Sequence, residues 1–114
     1  MLSISGSSRI LLYVPPTDMR KSFRGLSALV HEHLGRPEDG TYYVFVNRRR
    51  THVKVLHFDG DGLAIWYKRL EQGQFSLPRS VGRRMKLTRR TLALLLEGIT
   101  PKRMSHRFSL GCGE

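Results

Sequence analysis

The side chains most able to do chemistry are basic and come in groups. Asn47 is followed by three consecutive arginines, residues 48–50, and a second basic run occupies residues 79–90. Arg20 and Lys21 form a smaller group near the start of the chain. Guanidinium and ammonium groups bind phosphate oxygens, so these groups favour a polyanionic partner, with nucleic acid first.

Residues for catalysis are sparse by comparison. A two-metal nuclease needs several convergent carboxylates, and the candidates are Asp18, Glu32, Asp59, Asp61 and Glu71. The nuclease hypothesis would work through Asp18, Asp59 and Asp61. The last two lie in an Asp-Gly-Asp-Gly sequence that a turn explains fully. The chain has no phosphate-binding loop of the Walker type and no dinucleotide fingerprint. We therefore expect a non-catalytic protein with no cofactor and no metal, and keep a metal-dependent nuclease as a remote alternative.

The composition agrees with a basic domain. Twenty Lys and Arg against nine Asp and Glu give the 114 residues a net charge of +11. Residues 1–78 carry eleven basic and seven acidic side chains, whereas residues 79–107 carry nine basic ones and a single acid. No apolar run is long enough for a membrane span, and the start lacks a secretory signal pattern. With Cys112 as its one cysteine, the protein is expected in the cytoplasm, near the nucleoid.

The first half of the chain contains a predicted strand, a helix and a second strand. Residues 10–14 are apolar and β-prone and stop at two prolines. Thr17 or Asp18 is then a candidate helix cap, and Met19 begins an apolar face that recurs at helical spacing until Gly35. Residues 42–46, Tyr-Tyr-Val-Phe-Val, predict the next strand.

Two further strands and a helix follow. Residues 51–58 and 63–70 are β-prone, and the Asp-Gly-Asp-Gly sequence between them is a strong hairpin signal. Thr88 is a plausible cap for a helix that ends at Gly98. The predicted order is β-α-β-β-β-α, an α+β fold with an antiparallel three-stranded meander and two helices. It occupies residues 1–100 as a single domain, followed by a basic, flexible tail over residues 101–114.

The hairpin fixes a register with functional consequences. If Phe58 pairs with Leu63, then residue 54 faces Tyr67, residue 53 faces Lys68 and residue 52 faces Arg69. The distal end of the meander then becomes basic on both faces and lies beside the loop of residues 47–50. We predict a phosphate-binding ridge there, with Trp66 and Tyr67 available for stacking. The alternative is a solvated hairpin end in which Trp66 is ordinary core.

Both predicted helices begin with cations. Arg20 and Lys21 follow one cap, and Arg89 and Arg90 follow the other. Cations in a first turn oppose the helix dipole, and a bound anion would remove that conflict. A local ion pair between Arg20 and Asp18 explains the first helix equally well. For Arg89 and Arg90 no acid is close in sequence, so anion binding is favoured.

Several of these motifs together are typical of one bacterial family. Thr17-Asp-Met-Arg-Lys21, Asn47-Arg-Arg-Arg50, Asp59-Gly-Asp-Gly-Leu63 and Trp66-Tyr-Lys-Arg-Leu70 occur here in the order found in that family. Over about residues 9–99 the chain resembles the second-reading-frame accessory protein (TnpB type, Orf2-like) of IS66-type insertion sequences. The resemblance implies a role in transposition beside a separate, larger transposase that carries the catalytic acids. It implies no catalytic site in this chain.

The leading hypothesis is therefore a non-catalytic DNA-binding accessory factor for transposition. The alternative is a protein-interaction module that docks on the transposase of the same element without contacting DNA directly. No membrane partner is expected. The predicted DNA contacts are Arg20, Lys21, Arg48, Arg49, Arg50, Lys54, Lys68, Arg69, Arg83, Arg84, Lys86, Arg89 and Arg90.

Overall fold

A five-stranded sheet organises the chain. The computed structural model describes residues 2, 4 and 6–98. The strands are β1 (Ile10–Tyr13), β2 (Tyr42–Val46), β3 (His52–Phe58), β4 (Leu63–Arg69) and β5 (Arg84–Leu87). The helices are α1 (Phe23–Leu29), which continues as a π-helical segment (Val30–Leu34), and α2 (Arg89–Glu97). The predicted tail, with Cys112, lies outside the described residues, and the domain boundary at residue 100 stays a prediction.

The sheet confirms the predicted α+β class and the meander. The strand order is β4-β3-β2-β1-β5, with β1 parallel to β2 and the other neighbours antiparallel. In the β3–β4 hairpin, Phe58 pairs with Leu63, Lys54 with Tyr67 and His52 with Arg69, as the sequence predicts. Because a slip of one residue would exchange the two faces of a strand, this agreement fixes which side chains share a face.

Strand β5 is absent from the sequence prediction. It pairs antiparallel with β1, from Ile10 opposite Leu87 to Tyr13 opposite Arg84. Its four residues alternate Arg-Met-Lys-Leu, and the two cations make the segment look like part of a charged run. With β5 present, β1 and β2 are interior strands. Neither of these two strands is therefore a free edge that could pair with another subunit.

The two helices cover opposite faces of the sheet and give three layers. On one face, α1 and its π-helical continuation bury Leu26 and Val30 against Tyr43, Phe45 and Leu56. On the other face, α2 buries three leucines against apolar residues of the central strands; its core members include Leu92, Leu95, Leu96, Val44, Val53 and Val55. Burial on both faces explains why the interior strands are almost continuously apolar.

The start of α1 differs from the prediction. The helix begins at Phe23 after Ser22, not after Thr17 or Asp18. The Asp18 carboxylate accepts a hydrogen bond from the backbone N–H of Arg20 at 2.9 Å, and Asp18 O accepts one from Lys21 N at 3.1 Å. Asp18 thus stabilises a turn that precedes the helix. Arg20 and Lys21 lie in that turn and not in the first turn of α1.

The predicted limits of α2 are confirmed. The Thr88 hydroxyl accepts a hydrogen bond from Thr91 N at 3.0 Å, which caps the helix, and the helix ends before Gly98. Arg89 and Arg90 do occupy its first turn. No helix in residues 2, 4 and 6–98 has the length and hydropathy needed to cross a membrane.

A long connection from β4 to β5 is anchored by one aromatic side chain. Phe75 is 1 % exposed and belongs to the α2-side core. Its backbone N–H donates to Arg50 O at 2.6 Å, and the Gln74 side chain donates to Arg49 O at 2.9 Å. Two hydrogen bonds therefore join this connection to the backbone of the loop of residues 47–50.

Candidate nucleic-acid interface

Among the described residues, more than half of the exposed Lys and Arg side chains lie at one end of the sheet. Parallel β1 and β2 both finish at this end, β3 begins there, β4 finishes there and β5 begins there. We define the basic rim as the cations next to these strand ends: Arg20, Lys21, Arg48, Arg49, Arg50, Arg69, Arg83 and Arg84. Five strands about 4.8 Å apart make the rim about 20 Å wide.

The basic run at residues 83–90 does not form one patch. Arg84 pairs with Tyr13 at the rim, and Arg83 O accepts a hydrogen bond from Val14 N at 2.8 Å. Leu87, at the other end of β5, pairs with Ile10. Arg89 and Arg90 follow Leu87, so they lie at the opposite end of the sheet, toward the β3–β4 turn. Lys86 lies between the two ends, where it pairs with Leu11.

The loop of residues 47–50, which we call the arginine loop, is held by its asparagine. Asn47 Oδ1 accepts hydrogen bonds from the backbone N–H groups of Thr51 at 2.8 Å and His52 at 3.0 Å. Arg50 takes a left-handed backbone conformation with φ of 61°, which completes the tight connection. In the described part of the chain, the exposed arginine side chains of this loop have no hydrogen-bond or ion-pair partner. A rigid turn therefore presents three uncompensated guanidinium groups.

Lys54 is not exposed on this rim. The residue is 7 % exposed, and its ammonium group donates to Met19 O at 2.9 Å and Lys21 O at 2.7 Å. The ammonium nitrogen also lies 4.8 Å from the centre of the Tyr67 ring, within cation–π range. Lys54 thus fastens the turn after β1 to the sheet, and its charge is satisfied within the fold.

Lys68 lies on the face of the sheet that α2 covers and, like Lys54, donates a hydrogen bond within the fold. Its ammonium group donates to Leu96 O at 2.9 Å, in the last turn of α2. A cation at a helix C-terminus satisfies a free carbonyl and interacts favourably with the dipole. The ammonium groups of Lys54 and Lys68 thus donate to backbone carbonyl oxygens within the fold. The phosphate-binding ridge predicted on both faces of the hairpin end therefore has two fewer free cations than the sequence indicates.

Two rim arginines are paired with neighbouring acids. Arg20 Nη2 lies 2.7 Å from Asp18 Oδ2, and Arg69 Nη2 lies 3.1 Å from Glu71 Oε2. Hydrogen bonds from the Arg20 side chain and backbone lower the pKa of Asp18 to about 2. The local ion pair, one of the two explanations offered for Arg20, is therefore present, and Asp18 stays charged across the physiological pH range.

The aromatic residues near the rim differ in exposure. Trp66 packs against the α2-side core, whereas Tyr67 is 51 % exposed and faces the α1 side. The rings of Tyr67 and His52 are 5.9 Å apart. Only Tyr67 of the predicted pair therefore offers much surface for stacking.

The carboxylates of the nuclease alternative do not converge. Asp18 follows β1 at the rim, whereas Asp59 and Asp61 lie in the turn after β3 at the opposite end of the sheet. Within the described ranges, no three His, Cys, Asp or Glu side chains gather as metal ligands would. That version of a metal site is contradicted by the topology.

A cleft of about 460 Å³ opens on the rim between the two loops that follow β1 and β2. Its walls are Pro16, Thr17, Asp18 and Met19 on one side and Asn47, Arg48, Arg49 and His52 on the other. A hydrogen bond from Thr17 N to Val46 O, 2.9 Å long, ties the two loops together. The cleft therefore lies between two of the motifs on which the family resemblance depends.

The Thr17 hydroxyl is an unusual part of this cleft. Thr17 is 4 % exposed, and its Oγ1 has no hydrogen-bond partner among the described residues. Buried polar atoms are nearly always paired, and leaving one unpaired costs about 1–3 kcal/mol.

We expect Thr17→Val to raise the free energy of unfolding by about 1 kcal/mol, because it removes the unpaired oxygen and keeps the shape. Urea unfolding followed by circular dichroism measures this change. Thr41→Val is the matched control, since Thr41 is also buried but its hydroxyl accepts from Arg9 Nε at 3.3 Å. A Thr17→Val protein less stable than the wild type would contradict the expectation.

Comparison with known proteins finds a family that matches most of the chain. The sequence model of the IS66 Orf2-like family matches residues 8–106. The uncharacterized protein y4hO of Sinorhizobium fredii strain NGR234 is 35% identical over 100 residues, covering 87% of each chain. The uncharacterized protein y4jC of the same strain is 29% identical over 108 residues, covering 94% of this chain and 92% of the relative. No solved structure matches the chain.

Proposed function

Because the chain belongs to the IS66 Orf2-like family of insertion-sequence accessory proteins, we propose that it is a non-catalytic accessory factor that binds DNA during transposition. The observation that carries the proposal is the basic rim. The rim places eight cations along one end of the sheet, and among the described residues only Arg20 and Arg69 of these eight are paired with acids.

The size of the rim suits a DNA backbone. Its width of about 20 Å corresponds to somewhat more than half a turn of B-DNA, which repeats every 34–36 Å or so. The arginine loop, Lys21 and Arg83 supply side chains with no internal partner in the described part of the chain. These side chains can neutralise phosphates without giving up a bond inside the fold. Phosphate contacts position a protein on DNA without selecting a sequence.

Binding through four to six phosphates should depend strongly on salt. We expect the logarithm of the association constant to fall with the logarithm of salt concentration at a slope of roughly −4 to −5. Fluorescence anisotropy with duplex DNA from the element ends, over a series of NaCl concentrations, measures the slope. Binding that is absent or insensitive to salt would overturn the proposal.

The rim can be tested against the far end of the sheet with equal reductions of charge. We expect Arg48→Gln with Arg49→Gln to weaken duplex binding about tenfold or more, because each arginine that no longer binds a phosphate costs roughly 1 kcal/mol. Arg89→Gln with Arg90→Gln is the matched control at the opposite end and should change affinity less than about threefold. Equal effects of the two pairs would show that net charge, and not the rim, determines binding.

The second candidate is a module that docks on the transposase of the same element. Either helix could supply the docking surface, since Phe23 on α1 is 47 % exposed and Leu94 on α2, on the opposite face of the sheet, is 57 % exposed. A pull-down of the transposase that survives nuclease treatment, together with no DNA affinity of the purified protein, would select this function. Loss of transposition in the Arg48/Arg49 variant with unchanged DNA affinity would also favour it.

A further inference from the structure

We propose that the cleft between the loops after β1 and β2 takes a single unpaired nucleotide from a DNA strand. The proposal rests on the DNA-binding function and names the part of the DNA that this site would recognise. The phosphate would lie on Arg48 and Arg49, and the base would lie against Pro16, Met19 and the His52 ring. Duplex DNA on the rim would thereby be held best where a strand end or a distortion leaves one base unpaired.

The volume of the cleft fits a nucleotide better than a lone phosphate. Sites for small molecules run from about 300 to 1,000 Å³, and this cleft of about 460 Å³ lies in the lower part of that range. A single phosphate group needs only the two arginines and would leave the opposite wall uncovered. That wall, formed by the loop after β1, is where the base would lie.

The walls divide into a charged side and an apolar side. Arg48 and Arg49 are exposed and have no partner in the part of the chain that the structure describes. Pro16 and the Met19 thioether offer apolar surface, and Met side chains adapt well to flat aromatic partners. This is the combination that single-stranded nucleic acid needs: cations for the backbone and a surface on which a base can stack.

The position of the His52 ring is fixed before any ligand arrives. Its Nδ1 lies 2.8 Å from Thr51 Oγ1 and 3.2 Å from Asn47 Nδ2. A ring held in one orientation loses little entropy when a base stacks on it. Asp18 brings an acidic group into the wall, but its charge is compensated by Arg20 Nη2 at 2.7 Å. Thr17 also lines the cleft, and its buried hydroxyl has no hydrogen-bond partner among the described residues.

The test compares two DNA molecules with the same number of phosphates. One is a blunt duplex, and the other is a shorter duplex with a single-stranded extension, made in separate 5′ and 3′ forms. Fluorescence anisotropy of the full chain at fixed salt gives both affinities. We expect at least one extended form to bind about tenfold more tightly than the blunt duplex, which lies within the range that stacking of one base supplies.

Two variants locate the preference. Arg48→Gln with Arg49→Gln should bring the ratio of the two affinities close to one. Arg83→Gln with Arg84→Gln removes the same charge from the rim outside the cleft, so it should weaken both complexes and leave the ratio unchanged.

The outcomes separate this inference from the function beneath it. Salt-dependent binding of both DNAs with a wild-type ratio of one would overturn the nucleotide site and leave the DNA-binding function standing. A ratio that falls equally in both variants would also overturn the site, since the preference would then belong to the whole rim. Failure to bind either DNA would overturn both proposals.

Discussion

Replacing Lys54 with methionine should lower the free energy of unfolding by about 3 kcal/mol. The substitution nearly keeps the length of the side chain but removes the donor for Met19 O and Lys21 O. Hydrogen bonds from a charged donor contribute about 1.5–3 kcal/mol each, and the two carbonyls would be left without it. The cation–π interaction with the Tyr67 ring would also disappear. Urea unfolding followed by circular dichroism measures the difference.

Lys21→Met is the control for this prediction. The Lys21 side chain is exposed and has no partner in the described part of the chain, so its replacement should change stability by less than about 0.5 kcal/mol. If Lys54→Met were as stable as Lys21→Met, water would be replacing the ammonium group at both carbonyls. The conclusion that Lys54 holds the turn after β1 against the sheet would then be wrong.

Phe75→Ala should lower the free energy of unfolding by about 4 kcal/mol. Phe75 is 1 % exposed, lies in the α2-side core and belongs to a connection without regular structure of its own. Removal of the ring leaves a cavity that the interior strands cannot close. Its backbone N–H donates to Arg50 O, so the arginine loop should also lose order. Thermal or urea unfolding gives the energy, and amide hydrogen exchange in residues 47–52 reports on the loop.

The matched control changes the same residue type elsewhere. Phe23 is 47 % exposed at the start of α1, so Phe23→Ala should cost less than about 1.5 kcal/mol. Similar destabilisation at both positions, or unchanged exchange in residues 47–52 of Phe75→Ala, would contradict the anchoring role.

The meander could be predicted because its signals are local. The Asp-Gly-Asp-Gly turn fixes the hairpin length, and each strand pairs with its neighbour in sequence, so the register from Phe58 to Arg69 follows. The helix over residues 89–97 could be predicted for the same reason, since its cap, its apolar face and its terminal glycine lie within eleven residues. For these elements the nearest partners in space are also near in sequence.

Strand β5 could not be predicted in the same way, because its partner is β1, more than seventy residues away. The alternation of charged and apolar residues in β5 can be recognised as a strand pattern only when Met85 and Leu87 are known to face the α2-side core. The split of the basic run between the rim and the opposite end follows from that pairing. The start of α1 was missed for another reason: Asp18 satisfies its neighbours' N–H groups within a turn, and the same residue type also caps helices.

The candidate site was predicted in part. The arginine loop and its place beside the end of the hairpin follow from the register, but the internal partners of Lys54 and Lys68 do not. In the sequence, a lysine on a strand looks the same whether its long side chain extends into solvent or donates to a carbonyl group of a neighbouring element. The cleft was also beyond reach, because it requires the loop after β1 and the loop after β2 to lie side by side. Their proximity comes from the parallel pairing of β1 and β2 through the α1 crossover.

The position of β1 between β2 and β5 sets an order for folding on the ribosome. The strand is synthesised before the other strands of the sheet, and its neighbour β5 is synthesised after all of them. Until residue 87 leaves the exit tunnel, β1 remains an open edge of apolar residues, which is the kind of surface through which nascent chains associate. A chain released before residue 84 would keep that edge permanently. Premature termination ahead of residue 84 should therefore yield an aggregating product instead of a shortened accessory factor.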